Sequence, residues 1–286
     1  MRILLFGKIG QLGWELNRSL FTLGDLSVLD YPEVDFNQPQ TLPEIIRSAK
    51  PDVIVNAVAY TNVDKAESEP DVARRINADA VAGMAREAKN LGALLIHFST
   101  DYVFDGTKGS TYVETDSPNP LNVYGKTKLA GEDAAALAEK FLTFRTSWVY
   151  SSRTGGFVNK VIEWSKTKTE LRIVDDQIGS PTWCRTLAEV TGQVIAQYAL
   201  DKDRLQSLSG LYHLAGAGAA SRYEWVKEIL SVLGMENYSI LPAKTIEFPS
   251  AAVRPYFSAL ACDKLEQSFN LKLLPWQTSL ALALEK

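Results

Sequence analysis

Ile3-Leu-Leu-Phe6 runs without a break into Gly7-Lys-Ile-Gly10-Gln-Leu-Gly13, and the reading of this stretch decides the fold. Four consecutive apolar residues suit a strand buried on both faces. The segment that follows, Trp14-Glu-Leu-Asn-Arg-Ser-Leu20, has the spacing of an amphipathic helix. Three glycines in the turn between them let the backbone come close to a pyrophosphate. The helix start adds unpaired N–H groups and a positive dipole end. Gly7, Gly10, Gln11, Leu12 and Gly13 are therefore candidate dinucleotide contacts; a glycine-rich turn without a ligand is the bland alternative, and the place in the first strand–helix turn weighs against it. Asp30 closes the next apolar run, Leu26-Ser-Val-Leu29, at the distance where an acid takes up a ribose and disfavours a 2′-phosphate. That leans towards NADH and leaves NADPH open. Asp35 and Phe36 are expected to border the adenine, with a plain turn cap as the alternative for Asp35.

The alternation continues outward from this unit. Val53-Ile-Val-Asn-Ala57, Ala93 to Phe98 and Phe141-Leu-Thr-Phe144 read as further strands. Helical patterns separate them at Leu42 to Ala49, at Val72 to Leu91, read as one long helix, and after Tyr124. Apolar strands joined by helices predict an α/β, doubly wound parallel sheet of Rossmann type. Residues 1–150 are expected to form the dinucleotide-binding domain. Residues 151–286 are expected to be mainly a smaller substrate-binding domain, with a later segment free to return to the sheet.

Composition narrows the partners. The chain has 286 residues, 46% hydrophobic and 22% charged, with a formal net charge of −4. That composition supports a full core and offers no basic surface for nucleic acid or an anionic membrane. Met1-Arg-Ile-Leu-Leu-Phe6 leads directly into glycines, so no signal peptide is expected, and no apolar run reaches the ~20 residues of a membrane helix. A cytoplasmic protein is expected. The two cysteines, Cys184 and Cys262, lack metal or disulfide spacing and read as buried thiols. His97, inside Leu94-Leu-Ile-His-Phe98, reads as a packed histidine.

Three stretches carry chemistry. Tyr124 and Lys128 stand four apart at a predicted helix start, so both side chains leave one face. A neighbouring ammonium favours the phenolate, which fits Tyr124 for passing a proton to or from a sugar oxygen. Ser99-Thr100-Asp101 closes the fourth strand, where a hydroxyl meets a substrate oxygen. Asn56-Ala57-Val58-Ala59-Tyr60-Thr61 closes the third, where small residues admit a cofactor to the backbone. Tight helix–sheet packing is the equal alternative for any one of these alanines.

Together these stretches resemble the extended short-chain dehydrogenase/reductase family over nearly the whole chain, and within it the branch that reduces dTDP-4-keto-6-deoxy sugars. The matching segments include Leu5 to Gly13, Ser99-Thr-Asp-Tyr-Val-Phe-Asp-Gly106, Val123-Tyr-Gly-Lys-Thr-Lys128, Asp176-Gln-Ile-Gly-Ser-Pro-Thr182 and Arg254-Pro255. The resemblance implies catalysis by Thr100, Tyr124 and Lys128, with NADH or NADPH held by the glycine turn, Asp30, Asp35, Phe36, Ala57, Ala59, Tyr60, Thr61, Tyr124 and Lys128. Lys128 would hold the nicotinamide ribose and lower the Tyr124 pKa. Thr100, Asp101, Trp148, Gln177 and Arg254 would meet the dTDP-sugar, Arg254 at its diphosphate; a surface ion pair is the alternative for Arg254. The alternatives are a reductase of another nucleotide 4-keto sugar and a non-catalytic regulatory subunit of the same fold. Some members are metal-linked dimers through acids such as Glu15. Arg185 stands where they carry another acid, so no metal is expected, and a homodimer is left open.

Overall fold

The computed structural model describes residues 1–153, 155–235 and 238–285. Its strands are β1 (Arg2–Phe6), β2 (Asp25–Leu29), β3 (Val53–Asn56), β4 (Leu94–Thr100), β5 (Phe141–Thr146), β6 (Val149–Tyr150), β7 (Glu170–Val174), β8 (Ile178–Gly179), β9 (Thr182–Trp183), β10 (Gly210–His213), β11 (Ala220–Ser221) and β12 (Ser239–Ala243). Its α-helices are α1 (Gln11–Ser19), α2 (Leu42–Ala49), α3 (Val63–Ala66), α4 (Pro70–Arg74), α5 (Ala80–Leu91), α6 (Val123–Ala136), α7 (Gly156–Thr167), α8 (Cys184–Leu200), α9 (Lys202–Ser207), α10 (Arg222–Val232), α11 (Asp263–Phe269) and α12 (Trp276–Leu284).

Six strands form one parallel sheet in the order β10-β5-β4-β3-β1-β2. Winding reverses between β1 and β3, which opens a crevice beyond their carboxyl ends. Phe6 pairs with both Leu29 and Asn56, and Asn56 with His97, so the glycine turn, Asp30, Ala57 and Thr100 all emerge along one edge.

Alternation along the strands fills both faces. Ile3, Leu5, Val53, Val55 and Ile96 pack with Leu16 and Leu20 of α1 and with Leu187, Val194 and Tyr198 of α8. Leu4, Phe6, Ile54 and Leu95 pack with Leu42 and Ile46 of α2 and with Val81, Met84 and Ala85 of α5. A third core joins Tyr150, Val158, Val161, Leu171, Ile173, Trp225 and Ile229, under the small β7–β12 pair. Among the described residues no helix is long and apolar enough to cross a membrane.

The helix expected over Val72–Leu91 is not continuous. A π turn, Arg75–Asp79, separates α4 from α5. The side chain of Asn77 in that turn accepts from Tyr60 N at 2.9 Å and donates to Tyr60 O and Thr127 Oγ1. The extra residue in the turn thereby fastens the end of β3 to α6, a use typical of π bulges.

Candidate active site

The glycine turn is closed by contact. Gly7 has φ +91°, and a Cβ at Gly13 would stand 1.7 Å from the Gly7 carbonyl oxygen. Gly10 precedes α1 without any side-chain cap, which leaves the first helical N–H groups for a ligand. Asp30, partly exposed beside the turn, is bonded to the loop backbone. Its Oδ2 accepts from Lys8 N at 2.6 Å and Ile9 N at 2.9 Å, and its Oδ1 from Tyr31 N at 2.8 Å. The carboxylate braces the glycine loop at the end of β2. Phe36 is a core residue, edge-on to Phe6 with ring centres 5.5 Å apart. Asp35 caps its own turn through Asn37 N at 2.8 Å.

A cavity of about 560 Å³ opens at the carboxyl edge of the sheet. Gly10, Gln11, Leu12, Ala57, Ala59, Thr61, Thr100, Asp101, Tyr124, Lys128 and Trp148 all line it. Gln11 Oε1 is buried there without a hydrogen-bond partner, which fits a site built for a further polar group. Tyr60 is turned away, its hydroxyl donating to Glu69 at 2.7 Å.

Helix α6 brings Tyr124 to this cavity. Asn122 caps it by accepting from Gly125 N at 2.8 Å. Burial pushes the Tyr124 pKa up, with the neighbouring Thr100 hydroxyl opposing. Thr100 Oγ1 donates to Asp101 Oδ1 at 3.1 Å and accepts from Tyr102 N. Asp101 Oδ2 accepts from Ser147 at 3.0 Å and Ser258 at 2.5 Å. Burial pushes the Asp101 carboxyl up to about 6, opposed by these three hydroxyls and by Arg222.

Lys128 lines the same cavity as Tyr124. Its ammonium donates to the Phe98 carbonyl at 2.5 Å and lies 3.4 Å from His97 Nε2. Burial lowers its pKa to about 8, with Glu132 opposing, and the charges bearing on Tyr124 are those of Asp101 and Tyr102. His97 is packed, as its context suggests, with Nδ1 3.2 Å from Asn56 Nδ2. Burial, and then the charge of Lys128, lower its pKa far enough to keep it neutral. Ser99 also lines the cavity, and its side chain is engaged below it. Its hydroxyl donates to Glu132, whose carboxylate is clamped by Arg145 at 2.9 and 2.7 Å beneath the site.

The second half contributes the far wall. Trp148 has φ +44°, a strained conformation for so large a residue, and reaches the cavity beside Asp101. Gln177 donates to Thr245 at 3.1 Å and lines a second cavity of about 670 Å³ with Phe157, Trp164, Arg222 and Phe248. Arg254 is forked onto Asp64 at 3.0 and 2.6 Å. Ser147, Ser258 and Arg222 went unread in the sequence. Each is a lone polar residue whose position becomes meaningful only when the chain returns to the sheet edge.

The residues around Glu15 do not fit a divalent cation. Arg185, Arg18 and Arg153 all act on its carboxyl, and Glu189 is paired with Arg185 at 2.7 Å. Among the described residues no cluster of three or more His, Cys, Asp or Glu is placed to hold a metal. Cys184 and Cys262 are buried thiols, each pushed up to about 12 by burial.

A doubly wound sheet with a glycine turn and a Thr–Tyr–Lys group lining one cavity defines an oxidoreductase of the extended short-chain dehydrogenase/reductase class. The family model described as RmlD substrate binding domain matches residues 1–286. The dTDP-4-dehydrorhamnose reductase of Escherichia coli (strain K12) is 43% identical, covering 97% of this chain and 95% of that protein. Among solved structures, the Clostridium acetobutylicum dTDP-4-dehydrorhamnose reductase superposes with a TM-score of 0.92 at 35% identity, covering 99% of this chain and 98% of that one. The Bacillus anthracis enzyme of the same name, in complex with NADP, gives 0.91 at 34%, with the same coverage. The chain belongs to this family, the dTDP-4-dehydrorhamnose reductases.

Proposed function

We propose that the chain reduces the C4 ketone of dTDP-4-dehydro-6-deoxy-L-mannose to dTDP-L-rhamnose with NADH or NADPH. The observation that carries this reading is the placement of Tyr124, with Thr100 and Lys128, in the same cavity as the glycine turn. In the reduction direction Tyr124 has to hold a proton until an alkoxide forms. Burial in a low-dielectric site holds it there at neutral pH. Thr100 neighbours the phenol, and Asp101 orients Thr100 in turn. Lys128, anchored on the Phe98 carbonyl, supplies a positive charge in the cavity as charge develops. When bound, the nicotinamide supplies the hydride to C4. Gln11, Leu12, Ala57, Ala59, Thr61 and Lys128 are the residues that would hold the cofactor, and Trp148 with Gln177 and the second cavity would take the dTDP-sugar.

The test is spectrophotometric. The protein is mixed with dTDP-4-keto-6-deoxyglucose, with and without its 3,5-epimerase, and each reduced cofactor is followed at the nicotinamide absorbance. Oxidation that requires the epimerase is expected, and oxidation without it would assign a different 4-keto sugar. Tyr124→Phe is expected to lower kcat by about 10²- to 10⁴-fold with little change in cofactor affinity. Full activity in that variant would remove Tyr124 from the proton step.

A further inference from the structure

Arg254 was the sequence-based choice for the diphosphate, yet its guanidinium is already neutralised by the two-pronged bond to Asp64. Arg222 is in the opposite condition. Its guanidinium lies over Trp148, 3.5 Å from the ring centre, and within 5.0 Å of Phe157 and 5.5 Å of Trp225. Among the described residues it forms no ion pair with a carboxylate. The acids nearby are otherwise engaged. Asp101 is held by three hydroxyls. Glu224 closes the capping box of α10 on Ser221. Asp176 accepts from Thr245 N and Oγ1.

Three features make this an expensive place for an unpaired cation. Arg222 is the first residue of α10, at the positive end of the helix dipole. Burial lowers its pKa, the attraction of Tyr102 and Asp101 notwithstanding. The charge of Arg254 also bears on it unfavourably. Stacking on Trp148 offsets part of this cost. An anion brought between Arg222 and Arg254 would offset the rest.

The position says which anion. Arg222 lines the second cavity, with its aromatic walls Phe157, Trp164 and Phe248, while its stacking partner Trp148 lines the catalytic cavity. A molecule with its sugar at Tyr124 and an aromatic base in the second cavity has to carry its linking group past Arg222. Taking the dTDP-sugar reading as its basis, we propose that Arg222 is the principal diphosphate-binding residue. Arg254, tied to Asp64, is the lesser partner. A guanidinium held over an indole keeps N–H groups free for phosphate oxygens at reduced ordering cost.

The experiment is titration calorimetry of the whole protein with dTDP, UDP and thymidine, on the wild type and on R222M, R222K and R254M. Methionine keeps the apolar contact with Trp148, so a loss confined to the charged ligands reports the phosphate contact. R222M is expected to weaken dTDP and UDP by roughly 10- to 100-fold while thymidine binding changes little. R222K should recover part of the loss, and R254M should lose less than R222M. The proposal is overturned if R222M binds dTDP within about threefold of wild type, if thymidine falls by the same factor as dTDP, or if R254M is the more damaging change. Wild-type protein that binds UDP and not dTDP would sink the thymidine reading alone, because the same comparison on UDP still decides Arg222.

Discussion

Asp101 ties the chemistry of the site to its stability. Its carboxyl titrates near 6 in the folded chain against an ordinary value of 3.8, chiefly through burial. The folded state therefore binds this proton more tightly than the unfolded one, and stability falls as pH rises from about 4 to 6, then levels. The difference of about two units corresponds to about 3 kcal/mol. Asp64, Asp105 and Asp116 are shifted down and act with the opposite sign, so the wild-type profile alone mixes the two effects. Asp101→Asn keeps the shape and removes the titration. Urea unfolding at pH 4.5, 5.5 and 7 should show wild type losing stability relative to D101N as pH rises; a difference constant across that range would mean the carboxyl is not protonated by the fold. Tyr124, Thr100 and Lys128 were legible because spacing on a predicted helix and strand end placed them. The ionisation of Asp101 was not, because its three hydroxyl partners come from β4, from the turn after β5 and from Ser258 near the far end of the chain.

At the scale of elements, the docking of α6 on the turn after β4 sets where Tyr124 stands. Gly125 makes that approach possible: a Cβ there would lie 2.2 Å from the Tyr102 carbonyl oxygen. Gly125→Ala forces the helix away from the turn, an overpacking expected to cost about 1–3 kcal/mol. Since Tyr124 is the preceding residue, the same shift should lower kcat by up to about 10²-fold. Thermal unfolding and kcat measured together check this, and a variant with both unchanged would show that the contact yields without moving α6. The start of α6 was readable from Asn122 and the turn-prone residues before it. The π turn that breaks the helix over Val72–Leu91 was not, because Arg75-Ile-Asn-Ala-Asp79 has ordinary helix-compatible composition. Only the tertiary bonds of Asn77 to Tyr60 and Thr127 distinguish it.

For the molecule as a whole, apolar runs and a glycine turn were enough to predict a doubly wound parallel sheet, because each βα unit is a local pattern. The sixth strand escapes such reading, since β10 pairs with β5 from nearly seventy residues away and its register depends on what lies between. That return makes the two halves interdependent. Leu187, Val190, Val194, Ile195 and Tyr198 of α8 cover the same face of the sheet as Leu16 and Leu20 of α1, and Tyr212 and Leu214 share that core. A chain cut at residue 150 leaves this face bare, with β5 as an unpaired edge. Each large side chain of the first half that α8 no longer covers forfeits up to roughly 1.5–3 kcal/mol, and several together are comparable with the roughly 5–15 kcal/mol that holds an ordinary domain. We therefore expect residues 1–150 alone to be unfolded or aggregated, although the glycine turn, Thr100, Tyr124 and Lys128 all lie within them. Circular dichroism with thermal melting, together with cofactor titration of the fragment, checks this. A cooperative transition near that of the full chain, with cofactor bound, would show that the first half is a domain in its own right and that α8 and β10 merely decorate it.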